Sequence, residues 1–196
     1  MAYRFSRWLA LILSKLLFRI EFQGREFIPK KGGFILVSNH LSYLDPIAIG
    51  TACPREVSFL AKDTLFNYPF LAGWLKAVGV IPVKRGAADL SAIKTAIHNA
   101  SSGKGLALFP EGTRREKENA FINPQAGAGF LADKLNVPVI PAFVSGTEQA
   151  LPRGAKFLRP AKIKVKFGKE IHIEGGKPYR EISEAIMADI KNLSEK

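Results

Sequence analysis

Short apolar runs, set apart by stretches with helical spacing, organise most of the chain. Residues 34–38, 57–61, 80–83, 106–109 and 137–143 are mostly or wholly apolar, as strands covered on both faces are. Residues 19–23 suggest one more short strand. Ile163, Val165 and Phe167 alternate with Lys162, Lys164 and Lys166, which predicts an edge strand with one wet, basic face. Between the runs, Leu90, Ile93, Ile97 and Ala100 share a helical face, with Asp89 at the start and Gly103 past the end. Further helices are expected at 69–78, 127–135 and 181–193, the last with Ile182, Ile186 and Ile190 as its stripe. Strand and helix therefore alternate. This predicts an α/β fold, a largely parallel central sheet with flanking helices.

Residues 1–20 differ from the rest. Wound as a helix, Arg4, Arg7, Lys15 and Arg19 fall within a sector of about 120°, while Phe5, Leu9, Ile12, Leu13, Leu16, Leu17 and Ile20 take the opposite side. Trp8 lies near the basic stripe, a place suited to the headgroup level. The apolar run from Trp8 to Leu13 is far short of the roughly 18 residues that a span needs. Lys15 and Arg19 also interrupt any signal-peptide core, so no cleaved signal peptide is expected. The pattern predicts an amphipathic membrane-associating helix over 1–20, with Arg4, Arg7, Trp8, Lys15 and Arg19 as membrane contacts. The competing reading packs this helix on its own domain with the basic residues in water. Residues 21–196 offer no linker or repeat and read as one domain.

The net charge of +12 favours an acidic partner: nucleic acid, anionic lipid, a phosphorylated metabolite or an acidic carrier protein. No Cys/His finger, RNA-recognition aromatic motif or Arg-rich arm supports nucleic acid. One cysteine, Cys53, leaves no intrachain disulfide and no thiol cluster for a metal, which fits a reducing compartment. A peripheral or monotopic position on the cytoplasmic side of a membrane is the expected setting.

In open α/β sheets, ligands bind beyond the carboxyl ends of the strands. There the sequence places Asn39-His40, Lys84-Arg85-Gly86, Pro110-Glu111-Gly112-Thr113-Arg114 and Ser145-Gly146-Thr147. His40 has Asp45 within chain reach. A carboxylate on one imidazole nitrogen fixes the tautomer and leaves the other free to take a proton from an alcohol. Asp45-Pro46 is equally a helix-start signal, so Asp45 can orient His40, cap a helix, or do both. No G-x-S-x-G elbow is present, and neither Ser38 nor Ser42 has a recognisable nucleophile setting, so a substrate hydroxyl is the economical nucleophile. Ser101-Ser102-Gly103-Lys104-Gly105 lacks the P-loop spacing. In Phe109-Pro110-Glu111-Gly112-Thr113-Arg114, Gly112 lets backbone approach a ligand, Arg114 offers a fork for phosphate, and Glu111 would accept bonds from substrate hydroxyls. Arg115 to Glu118 reads as a solvated charge run.

These blocks carry a resemblance. Asn39-His40-Leu41-Ser42-Tyr43-Leu44-Asp45 and Phe109 to Arg114 resemble the N-H-x4-D and F-P-E-G-T-R blocks of the glycerolphospholipid acyltransferases, most narrowly the 1-acylglycerol-3-phosphate acyltransferases. Val80-Ile81-Pro82-Val83-Lys84-Arg85 and Val137-Pro138-Val139-Ile140-Pro141 are similar to two further blocks, in the family's order. The resemblance implies a general base, His40, oriented by Asp45. Asn39, Arg85, Glu111, Gly112, Thr113 and Arg114 then bind substrate, with Lys84 as a further phosphate contact. It implies a thioester of acyl carrier protein or coenzyme A as co-substrate, a lysophospholipid acceptor at an anionic membrane surface, phosphatidate as product, and neither metal nor cofactor. Glycerol 3-phosphate or another lysolipid is the alternative acceptor, and a non-catalytic lipid-binding domain the alternative function. One departure stands out: the family commonly has a basic residue just before the glycine corresponding to Gly127, where this chain has Gln125-Ala126.

Overall fold

The computed structural model describes residues 1–84, 89–116, 120–173 and 175–195. Strands β1 (Glu21–Gln23), β2 (Phe34–Ser38), β3 (Val57–Lys62), β4 (Ile81–Val83), β5 (Gly105–Leu108), β6 (Val139–Ser145) and β7 (Lys164–Phe167) form one sheet, ordered β1-β7-β6-β2-β5-β3-β4. From β6 to β4 every neighbouring pair is parallel; β7 runs antiparallel to β6, and β1 is parallel to β7. The helices are α1 (Ala2–Leu17), α2 (Asp45–Ala52), α3 (Pro69–Ala77), α4 (Leu90–Ser101), α5 (Ala126–Leu135), the single turn α6 (Thr147–Ala150) and α7 (Tyr179–Glu195). The fold is α/β with a mostly parallel sheet and flanking helices.

The topology decides which helix covers which face. A right-handed crossover places its helix according to the direction of travel across the sheet. The β2-to-β3 connection moves one way, whereas β4-to-β5 and β5-to-β6 move the other. Hence α2 packs Ala48, Ile49 and Ala52 on one face, with Phe34 and Leu36 of β2. The opposite face packs Ile35 and Val37 of β2 with Ala92 and Ala96 of α4, Leu131 of α5, and Ile186 and Ile190 of α7. All five β2 residues are buried, and each large apolar side chain so enclosed contributes about 1.5–3 kcal/mol.

Three expectations are revised. β7 is not an edge strand: the three residues of β1 pair outside it, through Glu21, Phe22 and Gln23 against Lys164, Val165 and Lys166. In α4 the buried stripe is Ala92, Ala96 and Ala100, and Leu90 and Ile97 are left exposed, because small side chains let the helix lie close to the sheet. α1 does pack on its own domain, yet with its polar side. Tyr3 accepts a bond from the Val57 N–H (3.2 Å), Ser14 is buried, and Arg7 Nε donates to Gly50 O (3.2 Å) and Cys53 O (3.0 Å) at the carboxyl end of α2. Arg7 therefore joins the two helices through its Nε. Arg4, Lys15 and Arg19 are exposed as expected, and so are Phe5, Trp8, Leu9, Leu13, Leu16 and Leu17.

Candidate active site

β2, β5 and β6 end side by side, and the segments that leave them interlock. Asn39, the first residue beyond β2, is fully buried. Its amide donates to Val144 O (2.8 Å) and accepts from Val144 N (2.9 Å), copying one more rung of the β2–β6 ladder in side-chain atoms. Asn39 thus fixes the loop rather than reaching a substrate. His40 follows, and its Nδ1 lies 2.9 Å from Asp45 Oδ2.

The Asp45 carboxylate has no exposure and is satisfied on every side. Oδ2 also accepts from the N–H groups of Leu41 and Ser42 (2.7 Å each), and Oδ1 accepts from the Thr147 hydroxyl. Asp45 is the first residue of α2, but it makes no cap bond to the helix; its carboxylate turns back toward His40. An ionised Asp45 requires the proton on His40 Nδ1, leaving Nε2 as the acceptor. The ring stacks on Phe109, with centroids 4.1 Å apart, so packing as well as charge holds it in place.

The sequence placed Thr147 at this sheet edge but did not reveal its bond to Asp45, from which 102 positions separate it. The preceding Gly146 lies at φ +85°, where a Cβ would collide with the Lys162 carbonyl.

The second block closes on the first. Glu111 is buried; Oε2 accepts the His40 N–H at 2.6 Å and Oε1 the Phe121 N–H at 3.3 Å. Burial pushes its carboxyl up to about 7, against the opposing effect of those two bonds. Both oxygens face backbone, so Glu111 braces the His40 loop instead of accepting substrate hydroxyls. Arg115 N–H donates in turn to His40 O (2.8 Å). Arg115 is half-buried, with an Nε that has no partner among the described residues, and so is not part of a solvated run. Gly112 takes φ +66° and spends its N–H on Phe109 O (2.9 Å), which removes it as a donor to a reacting oxygen. Thr113 is exposed, and the Arg114 guanidinium lies 3.4 Å above the Tyr43 ring. Lys84 is exposed beside Asp89, whose carboxylate accepts the Lys84 N–H (3.0 Å) and caps α4. Arg85 lies outside the described residues. No metal-binding cluster occurs among those described.

From His40 a groove of about 650 Å³ opens between α4 and α5. That size lies within the ~300–1,000 Å³ usual for ligand pockets. Leu60, Val83, Ile93, Leu108, Phe130 and Leu131 supply apolar walls. Gln125 stands at its rim, its N–H bonded to Pro110 O (2.7 Å).

Residues 19–145 match the family model described as Acyltransferase. The chain is 25% identical, over 99% of its length and 98% of the other's, to the 1-acyl-sn-glycerol-3-phosphate acyltransferase of Bacillus subtilis (strain 168). It is 34% identical to the protein of that name from Borreliella burgdorferi, over 74% of this chain and 56% of that one. It spans about half the length of a chloroplastic relative from Arabidopsis thaliana (44%), at 28% identity. Among solved structures, the crystal structure of the 1-acyl-sn-glycerophosphate (LPA) acyltransferase, PlsC, from Thermotoga maritima superposes with a TM-score of 0.82. That match covers 99% of this chain and 80% of the other at 23% identity, and it bears on the fold.

Proposed function

The chain belongs to the acyltransferase family, and on that premise we propose that it moves a fatty acyl group from a soluble thioester to the free hydroxyl of 1-acylglycerol 3-phosphate at a membrane surface, giving phosphatidate. The observation that carries this reading is the His40–Asp45 pair, with one ring nitrogen fixed and the ring placed at the mouth of an apolar groove. The names of its relatives supply the acceptor.

His40 Nε2 takes the proton of the acceptor hydroxyl as its oxygen attacks the thioester carbonyl. The tetrahedral intermediate then collapses, and the thiolate leaves with the proton returned by His40. Asp45 balances the imidazolium formed between these steps. General-base assistance of this kind supplies about 10² to 10⁴ in rate. An enzyme serine is disfavoured as nucleophile because Ser38 and Ser42 are buried, their hydroxyls donating to Asn39 Oδ1 and Leu151 O. In this reading the acyl chain occupies the apolar groove, and phosphate is met by Arg114, Arg115 and Lys84 at the same sheet edge, with Lys62 lining the groove itself. Gln125, standing where relatives commonly carry a basic residue, keeps glycerol 3-phosphate and other lysolipids in contention as acceptors. The donor is a thioester of acyl carrier protein or of coenzyme A. The exposed apolar side of α1, rimmed by Arg4, Lys15 and Arg19, is the contact with an anionic membrane, and Trp8 lies at its border.

Purified protein incubated with liposomes, either thioester and a panel of lysolipids, with products read by mass spectrometry, tests the reaction. His40→Ala should lower turnover about 10²- to 10⁴-fold while leaving the protein folded and liposome binding in place. Retained turnover would remove His40 from its role. Ile93→Phe, which narrows the groove from a half-buried wall position, should shift preference toward shorter chains.

A further inference from the structure

Between α6 and β7 the chain makes an excursion, residues 151–160, that none of the sequence blocks covers. Its tip is apolar and in the open: Phe157 is 82% exposed and Leu158 48%. Arg153, Lys156 and Arg159 surround the tip and are exposed as well. Among the described residues, only Arg153 of these three forms an ion pair, with Glu116 at 3.6 Å.

The base of the excursion is tied down. Arg159 N–H donates to Ala150 O (2.8 Å), Ala155 N–H to Pro152 O (3.0 Å), and the Ser42 hydroxyl to Leu151 O (3.1 Å). Pro152 and Pro160 stiffen its two ends. A segment anchored in this way presents Phe157 to the outside by construction. Its position is informative: Ser42 belongs to the His40 loop, and Thr147, which holds Asp45, begins the turn leading into it.

We propose that residues 151–160 form a second bilayer contact, beside α1, that seats the catalytic edge on an anionic membrane. Phe157 and Leu158 enter the acyl layer, and Lys156 and Arg159 meet lipid phosphates. An apolar tip ringed by cations matches an apolar layer lying beneath an anionic one. The surface is also continuous with α1. Arg19 N–H donates to Ala161 O (3.2 Å), and Phe18 bridges the same residue, so exposed Leu16 and Leu17 end beside the excursion. The proposal rests on the reading of the acceptor as a bilayer lipid, but its test does not require turnover.

The protein carries one cysteine, Cys53, which is buried, so an environment-sensitive dye placed at Phe157→Cys reports on that site. Its emission should shift to the blue on phosphatidylglycerol vesicles and much less on phosphatidylcholine vesicles. The double variant Phe157→Ser/Leu158→Ser should sediment with phosphatidylglycerol vesicles at least about tenfold more weakly. It should keep near-normal turnover on acceptor dispersed below its micellar concentration. Three results would overturn the proposal: vesicle binding equal to wild type, a dye that responds to acyl carrier protein but not to vesicles, or equal losses on vesicle-borne and dispersed acceptor. A wild type that binds vesicles through this tip yet acylates nothing would sink the proposed reaction and leave the contact standing.

Discussion

α7 and α1 are both amphipathic in sequence and lie on opposite faces of the sheet, yet they are turned opposite ways. α7 buries Ile182, Ile186, Met187 and Ile190 and shows Glu181, Glu184 and Lys191 to the outside. α1 buries Ser14, engages α2 through Arg7, and leaves Phe5, Leu9, Leu13, Leu16 and Leu17 exposed. The lesson is that an apolar stripe does not say which side of a helix meets the domain. Where small and polar side chains already satisfy the packing face, the apolar stripe is free to serve a second phase.

Matched substitutions put the contrast at risk. Ile186→Asp buries an unpaired carboxylate and should cost more than about 4 kcal/mol, so that no cooperative unfolding transition remains. Leu13→Asp on α1 should change the unfolding free energy by less than about 0.5 kcal/mol and weaken liposome sedimentation instead. Equal destabilisation by the two would erase the distinction.

Arg7→Ala sharpens it from the other side. Losing its charged donor to two carbonyls should cost about 1.5–3 kcal/mol in urea unfolding, whereas Arg4→Ala should cost almost nothing. Glu111 adds a test by pH. Its carboxyl titrates near 7 when folded and near 4.5 when unfolded, so the folded state holds the proton more tightly. The stability this gives is complete below about 4.5 and is lost as pH rises through about 7. Relative to Glu111→Gln, the wild type should lose at most about 1.4 kcal/mol per pH unit across that window, measured by unfolding at several pH values.

Most strands were legible because β2, β5 and β6 are apolar on both faces, and β2 starts and stops where its run does. β7 was misplaced because its outer partner β1 has only three residues, too few to carry a pattern. His40 and Asp45 were legible as a pair because a short segment contains both. Asn39 and Glu111 were read as substrate contacts for a physical reason: a polar group at a strand's end has the same composition whether it faces a ligand or replaces a rung of backbone. Only coordinates separate the cases. Thr147 was legible as part of a polar turn beyond a strand, but its bond to Asp45 had no local signal, and the outward turn of α1 depends on partners in α2 and β3.

The bonds that hold His40 reach far along the chain, to Glu111, and through Asp45 to Thr147. Loop closure over such separations costs entropy before the contacts repay it. A nascent chain that has emerged only through β5 holds the histidine and its aspartate without the hydroxyl and strand that fix them. The full set of bonds around the pair is possible only once β6 and the turn after it are present.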